Sequence, residues 1–265
     1  MFANLAKLFR YRGLITSLVA RDLKARYRGS VLGFFWSFIN PLLLLLIYSF
    51  VFTTIMPNKI AGVQPYTLFM FCGILPWTWF SSALLEASGS LIAGGNLIKK
   101  VLFPAEVLPI VSVLANMVNF FLGLPILILF LVLYQHLPNP WNLLWFPVVV
   151  VVQLVFTLAL ALTVAALSVH FRDVRDILSD LLTLWFFATP IIYPWFQPEV
   201  QRFKTFFDVN PFTHIVVSYQ EVLFFNNGPV GHWKWLLSLG AGSVLLFLGG
   251  FWLFDRLRDS FAEAV

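Results

Sequence analysis

The sequence predicts an all-α integral membrane protein with six transmembrane helices in a single transmembrane domain, residues 1–265. Apolar residues make up 60% of the 265 and charged residues only 11%, whereas a soluble domain is about half apolar and about one quarter charged. The apolar residues fall in stretches of about 20 or more, which are long enough to cross the ~30 Å hydrocarbon core as helices. Together these observations leave little of the chain for a soluble domain.

The first 30 residues are basic and predict an N-terminal amphipathic interfacial helix. One side of the helical wheel is apolar and the opposite side is basic. The apolar residues are Leu14, Ile15, Leu18 and Val19, and the basic residues are Arg21, Lys24 and Arg28. Such a helix suits the membrane interface, with its cations toward anionic lipid. Asp22 and Arg26 are four residues apart and can pair. A simple topogenic anchor explains the pattern equally well.

Six apolar stretches predict the transmembrane helices. The first has no charge between Arg28 and Lys59. Asn40-Pro41 predicts a kink or a broken start in it, because proline lacks a backbone donor and disfavours helix at the residue before it. The fifth stretch is short. The predicted spans are residues 33–55, 66–93, 107–133, 143–169, 177–192 and 233–254.

Three segments between the spans differ from plain loops. Residues 94–104 open with two glycines and close with a proline, which isolates a short helix or turn. A charged corner follows the fourth span, and its Arg172 and Asp176 have the spacing of a pair that braces a turn. The charged residues of this corner are Arg172, Asp173, Arg175 and Asp176. Residues 193–232 carry four prolines and a helical stretch, 212–225, that is too polar to span and is either re-entrant or at the outer interface.

Lys and Arg residues decide which side these segments face. With six spans, both termini lie on one side of the membrane. The segments of that side hold 13 of the 17 Lys and Arg residues, and the segments of the other side hold four. The positive-inside rule therefore places both termini in the cytoplasm. The basic residues cluster beside apolar stretches and form no stripe on a soluble domain, which argues against nucleic-acid binding despite the net charge of +5.

No catalytic or metal-binding residue is predicted. The sequence lacks the P-loop pattern G-x-x-x-x-G-K-[ST], the H-E-x-x-H and G-x-S-x-G motifs and a dinucleotide fingerprint. The four histidines are scattered, and the single cysteine, Cys72, lies in an apolar stretch. Ion-coupled transport needs ionisable groups at mid-membrane. The two candidates, Glu86 and Asp180, are more readily interpreted as partners of basic residues at the cytoplasmic surface, so the chain is interpreted as a transport pathway without a motor of its own.

Aromatic side chains are dense, with 30 Phe, 10 Trp and 7 Tyr. Interfacial anchoring explains most of the individual rings. Flat apolar rings also stack on the C–H faces of sugars while tolerating sliding, which would suit a polymer conduit. The candidate channel aromatics are Phe34, Trp36, Phe38, Tyr48, Phe52 and Trp185.

Four runs of sequence carry a family resemblance across nearly the whole chain. They are RDLKARYRGSVLGFFWSFINP (21–41), GNLIKKVLFPAEVLP (95–109), FRDVRDI (171–177) and NPF (210–212). Together they resemble the membrane subunit of polysaccharide-exporting ABC transporters, the type-2 exporter class that includes permeases for O-antigen, teichoic acid and capsule.

The resemblance implies a subunit of the bacterial inner membrane with both termini cytoplasmic. It implies a homodimer with two separate ATPase subunits. ATP and Mg are expected to bind to the ATPase subunits and not to this chain. The implied substrate is a lipid-linked polysaccharide that is moved to the outer side. The first and fifth spans are expected to line the path, and residues 193–225 to form paired re-entrant helices that gate the outer mouth. The expected ATPase-coupling helix comprises Asn96, Leu97, Ile98, Lys99, Lys100, Val101 and Phe103.

Two other functions stay open at this point. A small-molecule or drug exporter of the same superfamily would share the topology, although the aromatic density and the 21–41 run weigh against it. A membrane enzyme or ion-coupled flippase that works without ATP would need essential acids at mid-membrane, at Glu86 and Asp180.

Overall fold

The computed structural model describes residues 10–26, 28–55, 60, 62–99, 103–171, 173–225 and 230–264, and every regular element in these ranges is helical. This confirms the predicted all-α membrane fold. The helices are α1 (Arg12–Arg26), α2 (Trp36–Phe50), α3 (Tyr66–Ala93), α4 (Gly95–Ile98), α5 (Val107–Leu133), α6 (Pro140–Leu143), α7 (Phe146–His170), α8 (Val174–Phe187), α9 (Pro198–Gln201), α10 (Lys204–Val209), α11 (Pro211–Leu223) and α12 (Trp233–Ala264). A 3-10 turn (Gly33–Phe35) precedes α2, and a π turn (Val51–Ile55) follows it.

Five helical stretches within the described ranges are long and apolar enough to cross a membrane. They are Trp36–Ile55, Tyr66–Ala93, Val107–Leu133, Pro140–His170 and Trp233–Arg258. The second and third have the bounds that the sequence predicts. The last begins at the predicted residue, but its helix runs on to Ala264, ten residues beyond the predicted end.

The predicted fifth span, residues 177–192, is only partly helical. Its helix, α8, has 14 residues and is about 21 Å long at a rise of about 1.5 Å per residue. The chain turns from Ala188 onward, because Pro190 disfavours helix at Thr189 before it. Helix α8 alone is shorter than the ~30 Å hydrocarbon core, so a membrane crossing at residues 177–192, and with it the count of six spans, stays a prediction.

Helix α3 forms the centre of the fold. All residues from Tyr66 to Trp77 are buried, because α5, α7, α8 and α11 pack around this helix. Gln153 of α7 donates a hydrogen bond to the carbonyl oxygen of Pro76 at 2.8 Å, so a buried amide joins the two helices where proline interrupts α3. Helix α12 packs along α7 on the far side.

Helix α2 lies at the edge of the bundle. It continues through Pro41, and only Ser37 and Leu45 of its side chains are buried. Ile47 and Phe50 are among the exposed apolar side chains. The first span therefore presents an apolar face that the described parts of the chain do not cover.

Helix α11 lies inside the bundle. It corresponds to the stretch 212–225 that the sequence predicts as helical, and every residue from Phe212 to Gln220 is buried. It packs against α3, α7 and α12. Its 13 residues therefore serve as an internal helix in this protomer, and their re-entrant path through a membrane stays a prediction.

Candidate functional site at the N-terminal helix

Helix α1 is held against the bundle by its apolar side. Leu18 is buried in a cluster with Val107 and Val111 at the start of α5. The half-buried side chains around this cluster are Tyr11, Leu14, Ile15, Val19 and Phe103. The exposed basic residues on the other side are Arg21, Lys24 and Arg28. The helix thus has the two sides that the sequence predicts, and the apolar side contacts protein; its position at a membrane interface stays a prediction.

The end of α1 carries a charged network that we call the junction, formed by Asp22, Arg26, Glu86 and Asn116. Arg26 donates to Asp22 Oδ2 from Nε at 2.9 Å and from Nη2 at 2.8 Å. Nη2 also donates to Glu86 Oε2. Asn116 donates to the same Glu86 oxygen at 2.6 Å and accepts from Arg26 Nη1 at 3.3 Å. The junction therefore joins α1, α3 and α5 through side chains.

The contacts of Glu86 in the junction distinguish two interpretations of this residue, as a partner of a basic residue or as an acid used in ion-coupled transport. Its carboxylate is paired with Arg26, a basic residue outside the predicted spans, as the interpretation favoured from the sequence expects. Burial acts to lower the pKa of Arg26, but the carboxylates of Glu86 and Asp22 outweigh it and raise the pKa above its ordinary value. Arg26 thus stays charged, and Glu86 has the partner that a structural ion pair needs. Asp180, the other candidate, is exposed.

A cavity of about 360 Å³ opens beside the junction. Arg26, Glu86, Asn116 and Asn119 line its polar end, where the buried Asn119 Oδ1 has no hydrogen-bond partner among the described residues. Its apolar walls include Trp36, Leu44, Phe71, Leu75, Trp79 and Phe120. A polar end with apolar walls is the arrangement of pockets that take amphipathic ligands.

The segment predicted to couple to an ATPase lies next to the junction. Helix α4 is a single turn between the ends of α3 and α5, in which Asn96 and Lys99 are exposed. Its half-buried apolar residues, with Phe103, pack on a second core cluster shared with Leu91, Leu108, Phe251 and Phe254. Lys100 and Val101 lie outside the described residues. One helical turn, Gly95–Ile98, lies within the segment that the glycine and proline punctuation isolates, and a coupling helix that reaches Phe103 stays a prediction, as does its role.

A groove of about 470 Å³ connects α1, the junction and α4. Arg26 and Glu86 line one part of it, Gly94 and Leu97 line another, and Arg175 of the charged corner closes it. A Cβ placed on Gly89 would lie 3.9 Å from Arg175 Nη1. Three segments that are far apart in the sequence therefore meet along one groove.

Asp173 and Asp176 of the charged corner are exposed. Asp173 precedes α8, and its carbonyl oxygen accepts from Ile177 N at 3.0 Å. Asp176 lies in the first turn of α8, where a carboxylate is favourable against the helix dipole. Arg172 lies outside the described residues, so its pairing with Asp176 stays a prediction.

The candidate channel aromatics occupy different parts of the fold. Trp36 lines the cavity at the junction and donates from Nε1 to Ser30 Oγ at 2.9 Å. Phe38 is half-buried, and Tyr48 and Phe52 stack with their centroids 6.2 Å apart near the other end of the first span. Trp185 of α8 contacts Phe80 of α3, centroid to centroid at 5.4 Å. The structure does not describe the side chain of Phe34.

Sequence reasoning missed a cluster of histidines and aromatic residues at the start of α12. His214 Nδ1 lies 3.2 Å from His232 Nε2, so two of the four scattered histidines meet in space. Trp235 stacks on His214 with centroids 4.7 Å apart. No group of three His, Cys, Asp or Glu suited to a metal ion occurs among the described residues. The two histidines are 18 residues apart in a proline-rich segment, and no periodic pattern signals their contact.

The chain is similar to known transport proteins over its whole length. Residues 13–224 match the family described as ABC-2 type transporter. The chain is 42% identical over 267 residues to the O-antigen export system permease protein RfbA of Myxococcus xanthus, and the alignment covers 100% of both chains. Two O-antigen export system permease proteins RfbA of Klebsiella pneumoniae are 34% and 32% identical over 261 residues, which cover 98% of this chain and 96% of each relative.

Proposed function

Since this chain belongs to the ABC-2 type transporter family, we propose that it is the permease subunit of an ATP-driven exporter. Its substrate is a lipid-linked polysaccharide of the O-antigen type, moved from the cytoplasmic to the outer side of a bacterial inner membrane. The observation that carries this proposal is the full-length similarity to O-antigen export permeases from two organisms. The absence of a P-loop in the sequence agrees with hydrolysis by a separate ATPase.

The ATPase docks on α4. This helix is one turn long and lies between three long helices, and its apolar residues pack with Leu91 of α3, Leu108 of α5 and Phe254 of α12. A small rigid element packed in this way transmits a displacement to all three helices, because close-packed interiors transmit strain. The exposed Lys99 beside it offers a cation to an acidic partner surface.

Two copies of the chain form the export path. The face of α2 that includes Ile47 and Phe50, and the face of α8 that includes Ile177 and Leu184, are exposed and apolar. Faces of this kind meet either lipid or a second protein surface. A pathway between two protomers, bordered by these helices, accounts for both faces and agrees with the first and fifth spans as channel-lining elements.

The pairing of Glu86 with Arg26 weighs against an ion-coupled flippase. A carboxylate that carries protons through a transport cycle has to lose its charge during the cycle. Glu86 is bound by Arg26 and Asn116, and a proton-carrying cycle would have to break this charge pair. We therefore assign the junction a structural role in an ATP-driven transporter.

Co-purification with the cognate ATPase tests the function. The chain, tagged and expressed with a P-loop ATPase encoded beside it, should retain that ATPase through purification and stimulate its hydrolysis. Cells that lack the chain should accumulate lipid-linked polysaccharide on the cytoplasmic side, and an ATPase variant without its P-loop lysine should give the same phenotype. A chain that exports polysaccharide with no ATPase bound would refute the proposal.

A further inference from the structure

A second pocket lies at the opposite end of α3 from the junction. The hydroxyl of Tyr66, at the first residue of α3, donates to the carbonyl oxygen of Ile192, which places the chain around Ile192 at that end. Helices α9, α10 and α11 and the start of α12 enclose a pocket of about 260 Å³ there. In the proposed orientation this end faces the outer side of the membrane.

Three aromatic rings line the pocket, from Trp195, Phe207 and Trp235. Each tryptophan contacts a histidine. Trp235 stacks on His214 with an interplanar angle of 4°. Trp195 contacts His232 edge to face, with the ring centroids 5.8 Å apart. Gln201 Nε2 also donates to the carbonyl oxygen of Trp195 at 2.8 Å. The rings are therefore fixed by contacts from their own protomer, as in a preformed site.

Polar groups complete the lining without strong net charge. They are Gln201, Lys204, Asp208, Thr213, Glu221 and His232. Glu221 Oε2 accepts from the backbone N–H of His232 at 2.9 Å, which fixes the carboxylate at the pocket wall. Two carboxylates against a single lysine do not suit an anion such as phosphate, whereas carboxylates and amides suit hydroxyl groups.

Thr213 points to a bound polar group. It is 4% exposed, it lines the pocket, and its Oγ1 is buried with no hydrogen-bond partner among the described residues. A buried hydroxyl without a partner is unfavourable, and buried polar groups nearly always have a partner. A ligand hydroxyl in the pocket would satisfy this group.

We propose that this pocket binds one sugar ring of the exported polysaccharide. Aromatic rings stack on the C–H faces of the sugar, while Thr213, Gln201 and the carboxylates bond to its hydroxyl groups. The pocket is close to the ~300 Å³ lower end of ligand sites, so it takes a ring rather than a length of chain. The inference rests on the proposed function, since it assumes a polysaccharide at this end of the protein.

Binding of simple glycosides to the purified protein tests the pocket. The probes are neutral methyl glycosides of hexoses, 6-deoxyhexoses and N-acetylhexosamines, measured by saturation-transfer NMR on the full chain in nanodiscs. At least one probe should bind saturably in the millimolar range. Thr213→Val should weaken that binding about tenfold through the lost hydrogen bond, and Thr205→Val, on the exposed side of α10, should leave it unchanged.

A second pair of variants separates binding from folding. Trp195→Ala should abolish saturable binding, and Trp195→Phe should retain most of it because a ring remains for stacking. Thermal unfolding of each variant reports its fold directly. Absence of saturable binding to any probe, or equal binding by folded Trp195→Ala, would overturn the pocket proposal. If the wild-type chain still exports polysaccharide with its ATPase in that case, the pocket proposal fails and the proposed function stands.

Discussion

The guanidinium of Arg26 on α1 donates a hydrogen bond to the carboxylate of Glu86 on α3, across 60 residues of chain. The side chains are 23% and 39% exposed, so water screens the pair only in part. The pair fixes a helix that precedes the spans to the most buried helix of the bundle. A movement of α1 is therefore coupled to α3 through charge, in addition to the packing of α1 on α5.

Replacement of Arg26 by alanine should destabilise the protein by about 1–3 kcal/mol, because it leaves the partly buried Glu86 with Asn116 as its remaining partner in the junction. Lys24→Ala, which removes an exposed cation from the same helix, should have little effect. Thermal unfolding in detergent measures both. The double variant Arg26→Ala, Glu86→Gln should recover part of the loss, and equal melting temperatures for Arg26→Ala and Lys24→Ala would refute this role.

Reversal of charge at the coupling segment should separate hydrolysis from export. With Lys99 and Lys100 both replaced by glutamate, the segment would repel an acidic surface of the ATPase. We expect normal membrane insertion, loss of polysaccharide export, and ATP hydrolysis that no longer responds to the permease. Lys24→Glu applies a charge reversal on α1 and should keep hydrolysis coupled. Normal export by the double lysine variant would contradict the docking of an ATPase at α4.

The ends of α3 and α5 are predictable because local chemistry marks them. Pro65 precedes α3 and Gly94 follows it, so the apolar run and the helix coincide. The predicted fifth span extends beyond the end of its helix at Phe187, because residues 188–192 continue the apolar run although Pro190 ends the helix. A hydropathy profile shows which stretches are apolar, and it does not show where the backbone turns.

The contacts of the site are less predictable than its elements. The charge pattern indicates that Glu86 has a basic partner, yet only the docking of α1 on Val107 and Val111 selects Arg26. The contact of His214 with His232 depends on the path of a proline-rich segment. Such pairs are set by tertiary packing, for which a single sequence carries no periodic signal.

Replacement of Asn210 by alanine should destabilise the protein more than the loss of an ordinary helix cap would. Its Oδ1 accepts from the Phe212 backbone N–H at 3.1 Å and from Trp185 Nε1 at 2.8 Å. Its Nδ2 donates to the Ala188 carbonyl oxygen and to Thr189 Oγ1, both at 3.0 Å. Alanine removes these four hydrogen bonds, two of them to the partly buried Trp185 Nε1 and Ala188 carbonyl, so we expect a loss of about 2–4 kcal/mol in the free energy of unfolding.

The chain offers a matched control for this variant at Asn139. It also precedes a proline at a helix start, but among the described residues its side chain accepts a hydrogen bond only from the backbone N–H of Trp141. Asn139→Ala should therefore lower the free energy of unfolding by about 0.5–1 kcal/mol. Denaturant or thermal unfolding of both variants compares them. A similar loss in both would show that the bonds to Trp185 and Thr189 contribute little.

Gly250 sets the distance between α7 and α12. A Cβ at this position would lie 2.7 Å from both the carbonyl oxygen of Ala159 and Thr163 Oγ1, which is too close for any side chain. Gly250→Ala should force the helices apart and destabilise the protein by about 1–3 kcal/mol. Gly249→Ala adds the same methyl group where nothing lies within 4 Å, and its stability should be unchanged or slightly higher. Equal melting temperatures for the two variants would contradict the close crossing.

The histidine pair should make stability fall in mild acid. Burial, with a smaller contribution from His214, lowers the pKa of His232 from 6.5 to about 4, and burial also lowers the pKa of His214. Below pH 6.5 the unfolded chain binds protons that the folded chain does not, so the free energy of unfolding decreases as the pH falls from 6.5 to about 4. For His232 the loss is on the order of 3 kcal/mol. Asp208 favours the charged form of both rings and opposes this effect.

Glu221, the acid beside His232, has the opposite effect on the pH dependence of stability. A variant separates the contributions of the two residues. Burial raises the pKa of Glu221, so its carboxylate destabilises the folded chain above that pKa, and protonation relieves this as the pH falls. His232→Gln removes the histidine contribution and keeps Glu221. Unfolding measured from pH 7.5 to pH 4 should therefore show a smaller loss of stability in this variant than in the wild type, since the unfolded variant has one fewer histidine to protonate. Parallel pH profiles for the two proteins would show that His232 is charged in the folded state.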